Sequence, residues 1–270
     1  MRWLCLIALA GCASSTTFVD GSVEGREVRV DGCRTAAIAE ALRRASAGDV
    51  VRFGPCELAG ASFTVPPGVV LAGSGPESST LEIGTAVEVE AASGGCAGVR
   101  DLKIVSSADF AIRTIGPGEV CVDSVEIEST RGGGISAEGT TRLTVRHSTM
   151  AGPVTADNAD AQPDPPGFGS EGHVWSSGLV AKCVEHVELE NVEVWGWADI
   201  GVIVDNGRLS WRGGRIVETL GTGLVVYRSE AELEDLEIAD IYQGTRLIPP
   251  YGIVSSESVM TTTALWVHES

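Results

Sequence analysis

The sequence predicts an all-β chain wound into a parallel β-helix, a solenoid of about 22-residue coils, and three observations predict it. A pattern with apolar residues at positions 1, 3, 6 and 8 starts at Ala97, Val120, Leu143, Val187, Leu209, Ala231 and Met260. The starts are 23, 23, 44, 22, 22 and 29 residues apart, and only Ser148, Gly214 and Thr262 break the apolar rule. A further strand keeps step from Ile112, Ile135, Leu179, Val202, Leu224 and Ile253, each after the first being preceded by glycine. Apolar residues alternate with period two, which is the strand period and not the helical one. One coil is therefore two short strands around a two-residue polar corner, then a third strand entered through glycine. The 44-residue step is one period plus an insertion of about 20 residues.

Composition agrees with this reading. Glycine supplies 34 of 270 residues and aromatics only 5%, which suits many turns and regularly stacked small side chains. The balance of 19 basic against 37 acidic residues, net -18, repels phosphate backbones and excludes nucleic acid as a partner.

At the front end, Arg2 precedes the apolar run Trp3–Ala10. That run is shorter than the about 20 residues a bilayer span needs, and it is ordered like a secretory signal. Leu9-Ala10-Gly11-Cys12 resembles the lipobox of bacterial lipoproteins. The resemblance implies a lipoprotein signal peptide over residues 1–11, acylation of Cys12 as the mature N-terminus, and a tether over residues 12–30. An ordinary cleaved signal is the alternative. Several acyl chains on one cysteine anchor a protein to the lipid bilayer, whereas one chain binds only marginally. Ala13 after the cysteine resembles the outer-membrane class, so the expected location is a bacterial outer membrane or cell surface.

Thr35–Ser46 is a short amphipathic helix with Ile38, Leu42 and Ala45 on one face. It leads through Gly48-Asp49 into Val50, Val51 and Phe53, and it closes the exposed end of the first coil. This gives an N-terminal cap at 31–60 within a β-helix domain of 31–270. The runs AIAEALRRASAGDVVRF and FTVPPGVVLAGSG, followed by the glycine-entered coils, resemble the pectin-lyase-like superfamily over about residues 31–267. The resemblance implies a right-handed parallel β-helix and is specific for fold, not for activity. Trp211 is expected to face Gly214 within one coil, a large side chain offset by a small one. The last coil closes at Val267 and leaves Leu265 and Val267 uncovered. The expectation there is a homo-oligomer or another partner on the open edge, or a truncated reading frame.

With Cys5 in the signal and Cys12 acylated, five cysteines remain, and export permits disulfides. Cys33 and Cys56 bracket the first helix and strand and are the favoured pair. Cys96 and Cys121 sit about one coil apart but two residues out of phase. In ideal register that exceeds the ~4.4–6.8 Å Cα separation a disulfide accepts. The Gly94-Gly95 turn relaxes the register, so this second bridge stays open. No cysteine or histidine spacing points to a metal site.

In pectin-lyase-like enzymes substrate lies along the outside of the glycine-entered strand, and the resemblance implies the same surface here. The third residue after each inward start points outward, and that column reads Ile115, Glu138, Lys182, Asp205, Tyr227 and Ser256. Neighbours in it are about 4.8 Å apart. Glu138, Lys182, Asp205 and Tyr227 are the candidate catalytic residues. Carboxylates on such a face suit glycoside hydrolysis, and a neutralised carboxylate with a base suits β-elimination. Lys182 would counter a uronate or polarise a leaving group, and Tyr227 would meet a sugar ring. The plainer reading is a charge ladder on a solvated face, each contact worth ~0.2–1 kcal/mol.

The insertion at 151–175 adds Asp157, Asp160, Asp164, Glu171, His173 and Trp175, and Trp195, Trp197, Tyr242 and Tyr251 follow in later loops. Trp175, Trp195, Trp197, Tyr242 and His173 are the candidate substrate-binding residues; hydrophobic loop anchors are the alternative for the aromatic ones. No cofactor is implied, and calcium on the insertion's acids lacks any EF-hand or nonapeptide spacing. The aspartate, histidine and arginine signatures of polygalacturonases and pectate lyases are missing, as are a nucleophile elbow, a phosphate loop and a metalloprotease motif. The expectation is a membrane-anchored surface or periplasmic β-helix lipoprotein that binds or scaffolds carbohydrate. A polysaccharide lyase or glycoside hydrolase and a non-catalytic adhesion module are the alternatives. Without residues 1–11 the chain carries 18 basic and 37 acidic residues, so a neutral polysaccharide is the expected ligand.

Overall fold

The computed structural model describes residues 26–91, 93–153, 176–197, 199–242 and 251–268. Residues 1–25, with the expected signal peptide, Cys12 and most of the expected tether, residues 154–175 with His173 and Trp175, and residues 243–250 lie outside the described residues.

The β-helix begins before the boundary expected at residue 31. Val28 and Val30 alternate with Glu27 and Arg29, which gives strand β1 (Glu27–Val30) one apolar side. It pairs in parallel with β2 (Val50–Phe53), from Glu27↔Val50 to Val30↔Phe53. The last residues assigned to the tether are therefore a strand. Helix α1 (Thr35–Arg44) lies between them in sequence and buries Ile38 and Leu42, four residues apart on one face. It stops short of Ser46 because Ala45 takes extended backbone with ψ 148.

Short strands β3 (Cys56–Ala59), β4 (Thr64–Val65), β5 (Val70–Ala72), β6 (Ser79–Ile83) and β7 (Val87–Glu90) build the first coils. The coils then become regular. The strands carrying the 1-3-6-8 pattern are β8 (Cys96–Ser106), β10 (Glu119–Ser129), β15 (His186–Trp195), β17 (Arg208–Thr219), β19 (Glu230–Ile241) and β21 (Val259–Val267). In one coil this stretch is divided at His147 into β12 (Arg142–Arg146) and β13 (Thr149–Ala151). The strands that keep step with them, glycine-entered in every case but the first, are β9 (Phe110–Ile115), β11 (Gly133–Glu138), β14 (Ser177–Lys182), β16 (Ile200–Asp205), β18 (Thr222–Tyr227) and β20 (Tyr251–Ser256).

The chain is a parallel β-helix. The pattern-bearing strands stack with β1, β2, β5 and their neighbours into one sheet, sheet A. The glycine-entered strands stack with β4 and β7 into an eight-stranded second sheet, sheet B. The register is that of the repeat: Ala97, Val120, Leu143, Val187, Leu209, Ala231 and Met260 stand in one column. Ile112, Ile135, Leu179, Val202, Leu224 and Ile253 stand in another. These columns form the core, buried in all but the last coil. A slip of one residue would turn a whole strand's apolar set to solvent, so the alternation enforces the register.

Corners and entries follow local sterics. Asp101, Ser124, His147, Asn191, Gly213, Asp235 and Ala264 form the polar corner and all have φ between 46 and 67. Asn, Asp and Gly tolerate that left-handed backbone best, which explains the corner's composition. At the strand entries a Cβ on Gly134, Gly178, Gly201 or Gly223 would stand 2.3–2.7 Å from the carbonyl oxygen of the next coil's glycine. Gly214 has a cause other than the bulk of Trp211. Its φ is +110 and an added Cβ would meet the Val192 carbonyl oxygen at 2.1 Å. The buried Trp211 instead donates its Nε1–H to the Gly213 carbonyl at 2.9 Å.

The cysteine pairing differs from the favoured one. Cys96 and Cys121 are bridged, with Cα atoms 5.8 Å apart. They are two residues out of phase, since Cys96 pairs Glu119 and Cys121 pairs Gly98. Gly98, where a Cβ would collide with the Cys121 carbonyl, leaves room for the strands to close. Cys33 and Cys56, in contrast, are thiols. The Cys33 Sγ turns to the Pro55 carbonyl at 3.6 Å instead of closing on its neighbour. In the last described coil Val259 is 68% exposed, Trp266 50% and Val267 48%. No helix among the described residues is long and apolar enough to cross a membrane.

Candidate functional site

The two sheets present different outer faces. On sheet A the third residue after each of the first six starts reads Arg100, Asp123, Arg146, Glu190, Arg212 and Glu234, alternating in sign from coil to coil, and Thr263 follows in the last. Arg146 pairs with Glu190 at 3.2 Å and Arg212 with Glu234 at 2.7 Å. Beside them Arg208 pairs with Glu230 at 2.8 Å, Arg215 with Glu193 at 3.0 Å, and Lys103 with Glu126 at 2.7 Å. Those cations are consumed by the neighbouring coil. Exposed pairs of this kind contribute about 0–1 kcal/mol each, so this face is a solvated ladder and not a ligand site.

On sheet B, Glu138, Lys182, Asp205, Tyr227 and Ser256 stand in register, as the column count expects. Glu138 and Lys182 are exposed, and Asp205 and Tyr227 are half-buried. Asp205 accepts a hydrogen bond from Arg228 at 2.6 Å, which holds the guanidinium pKa above its ordinary value. The same guanidinium lies 4.4 Å from the centre of the Tyr227 ring, within cation–π range. Lys182 lies between two acids in register yet has no ion-pair partner within 4.0 Å among the described residues. Two residues earlier in the strands from Lys182 onward, Val180, Ile203, Val225 and Val254 form a parallel apolar row, with Val180 buried and the others half-buried; Ser136 ends it beside Glu138. The face is thus a polar row with an uncommitted amine beside an apolar row.

Arg228 escapes the column count because it belongs to the corner after the strand. Its equivalents are Gly116, Gly139, Cys183, Asn206 and Glu257, all with φ between 47 and 89. An arginine held in that left-handed backbone costs of order 1–2 kcal/mol, and the column of corner residues was the signal that would have found it.

The aromatic candidates among the described residues are not gathered on this face. Trp197 is completely buried and donates Nε1–H to the Met150 carbonyl at 3.2 Å. Gly152 and Gly178 make space for it, since a Cβ on either would lie 2.8 or 3.0 Å from the indole. It is a core residue, not a sugar platform. Trp195 ends β15 on sheet A, half-buried beside Ala151 and Val217. Tyr242 follows β19, its amide donating to the Thr219 carbonyl at 2.8 Å. Its phenol pKa is raised by burial first and then by the charges of Asp240 and Glu218. Tyr251, 52% exposed, opens a sheet B strand, in register with Thr222. Among the described residues no group of three or more His, Cys, Asp or Glu side chains is placed to hold a metal ion.

The A-module of an Azotobacter vinelandii mannuronan C-5 epimerase is similar to this chain at 15% identity and TM-score 0.44, covering 88% of this chain and 86% of that one. Tailspike protein 2 of the Escherichia coli O157:H7 bacteriophage CAB120 is similar at 10% identity and TM-score 0.42, over 90% of this chain and 47% of that one. The catalytic domain of a GH87 α-1,3-glucanase is similar at 12% identity and TM-score 0.30, over 90% and 55% of the two chains. Likenesses at these values bear on no residue of this chain. No protein-family model and no curated protein matches the sequence.

Proposed function

We propose that this protein is a membrane-anchored lipoprotein of a bacterial surface or periplasm that binds a neutral polysaccharide along the outer face of sheet B. The observation that carries the reading is Lys182, without an ion-pair partner among the described residues, in a row with Glu138, Asp205 and Tyr227, next to the corner residue Arg228 and flanked by Val180, Ile203, Val225 and Val254. Sugar rings have hydroxyl edges and C–H faces, so a polar row beside an apolar row matches them on both counts. Successive coils repeat the arrangement about every 4.8 Å, which suits a polymer better than a single small ligand. The net charge disfavours a polyanion.

The geometry favours binding over cleavage. Glu138 and Asp205 are two coil steps apart, about 9.6 Å along the stack. Asp205 is already engaged by Arg228. The experiment is a glycan array probed with the full chain, alongside a depolymerisation screen on the same polysaccharides. Binding to neutral glycans, weakened about tenfold in Lys182→Ala, is the expected result; one charge-assisted hydrogen bond is worth about 1.5 kcal/mol or more. Release of unsaturated or reducing ends, lost in Lys182→Ala, would replace this reading with a polysaccharide lyase or hydrolase. Neither binding nor turnover would leave an adhesion module.

A further inference from the structure

The acidic molecule has one basic end. Residues 26–52 carry six arginines and four acids, net +2, whereas the rest of the chain carries -20. A cleft of about 390 Å³ opens there between β1 and α1. Its floor is apolar, formed by Val28 and Val30 on the strand and Ala37, Ala41 and Ala45 on and just after the helix. Its rim carries Arg26, Arg29, Arg34 and Arg44 against Asp31 and Glu40. Arg34 is exposed and has no acid within 4.0 Å among the described residues. Arg26, Arg29 and Arg44 pair with Asp49, Glu27 and Glu40, yet their side chains remain 68%, 82% and 76% exposed. The Arg29 and Arg44 pairs, open to solvent on both sides, exchange partners at little cost, whereas Arg26 is held on the buried Asp49.

We propose that this arginine-rimmed cleft docks on the anionic phosphate headgroups of the membrane that carries the acylated Cys12. The inference rests on the lipoprotein reading. Cys12 precedes Arg26 by 14 residues, and a flexible chain of that length spans roughly 20 Å root-mean-square. The basic end is therefore the end of the β-helix tethered next to the bilayer. Guanidinium forks bind phosphate oxygens bidentately, and an apolar floor receives the glycerol and upper acyl carbons beneath them. Docked in this way, the coil stack stands away from the membrane. The other 31 of the acidic residues beyond position 52 are then carried outward, away from like charge on the lipid.

Flotation of the full chain with vesicles of phosphatidylcholine alone, and of phosphatidylcholine with phosphatidylglycerol, tests this. The expected result is stronger partition onto the anionic vesicles, a preference that collapses in high salt. It falls about fivefold in Arg34→Gln, at roughly one arginine's worth of surface attraction. Arg34→Gln orphans no acid, and an unchanged melting temperature would show that folding is not the cause. Equal partition onto both vesicle types overturns the proposal. So does release from anionic vesicles by inorganic phosphate at matched ionic strength, which would assign the cleft to a free anion. Failure to float on phosphatidylcholine, together with retained preference for phosphatidylglycerol, discards the acyl anchor but keeps the headgroup docking.

Discussion

Asp49 shows how a single side chain holds the N-terminal cap. Its carboxylate accepts the Ser46 amide at 2.9 Å and the Arg26 guanidinium at 2.7 Å, which together, the amide first, lower its pKa. A depressed carboxyl pKa stabilises the fold above the ordinary value of about 3.9 and loses that effect as pH falls through the lower folded value. Asp49→Asn is expected to lower the thermal midpoint at neutral pH, and the gap to wild type should close in acid. A gap that stays constant with pH would contradict the assignment. The two thiols make a second expectation. The Cys56 pKa is pushed up to about 12 by burial and by Cys33 beside it. In a mildly alkaline iodoacetamide time course read by peptide mass, the exposed Cys33 should be alkylated well before Cys56. Position along the chain brought this pair together in the reading, but the direction in which the Cys33 sulfur turns depends on a carbonyl contributed by Pro55.

Among the elements, stacked glycines set the coil spacing. Gly201→Ala places a Cβ 2.6 Å from the Gly223 carbonyl oxygen, and backbone on that side has nowhere to go. The expected loss is about 1–3 kcal/mol in a urea melt. Gly54→Ala meets nothing within 4 Å and serves as a control that should change stability little. Trp197→Ala is expected to cost about 3–5 kcal/mol and to leave glycan binding by the intact fraction unchanged. Strong glycan loss at unchanged stability would restore this residue to the binding site. The regular coils were legible because apolar alternation and glycine entries recur at one period. Strand β1 was not, because four residues are too few to show a period; pairing with β2 defines it. The role of Trp197 was hidden for a similar reason. Gly152 and Gly178, far from it in sequence, supply the volume it fills.

At the scale of the whole molecule the open last coil is the feature with the largest consequence. Tyr251, Val259, Trp266 and Val267 are all about half exposed or more, on strands that have no neighbour beyond them among the described residues. Such edges pair with other strands. Concentration-dependent association of the chain in sedimentation is expected, and Trp266→Lys with Val267→Lys should shift it to monomer. Association indifferent to both substitutions would place the contact elsewhere. Sequence alone determined the coil period, the inward columns, the register and the row Glu138, Lys182, Asp205 and Tyr227, since a parallel stack repeats in space whatever repeats along the chain. Only the tertiary structure decided which charges in that stack are spent and which are left over. Arg212 and Asp205 look equally available as letters, and each is taken by a partner some 22 residues away, Glu234 and Arg228. Lys182 is left without one among the described residues. Ion pairing depends on distances of a few ångströms between side chains on neighbouring coils, and no periodicity encodes which rotamers meet.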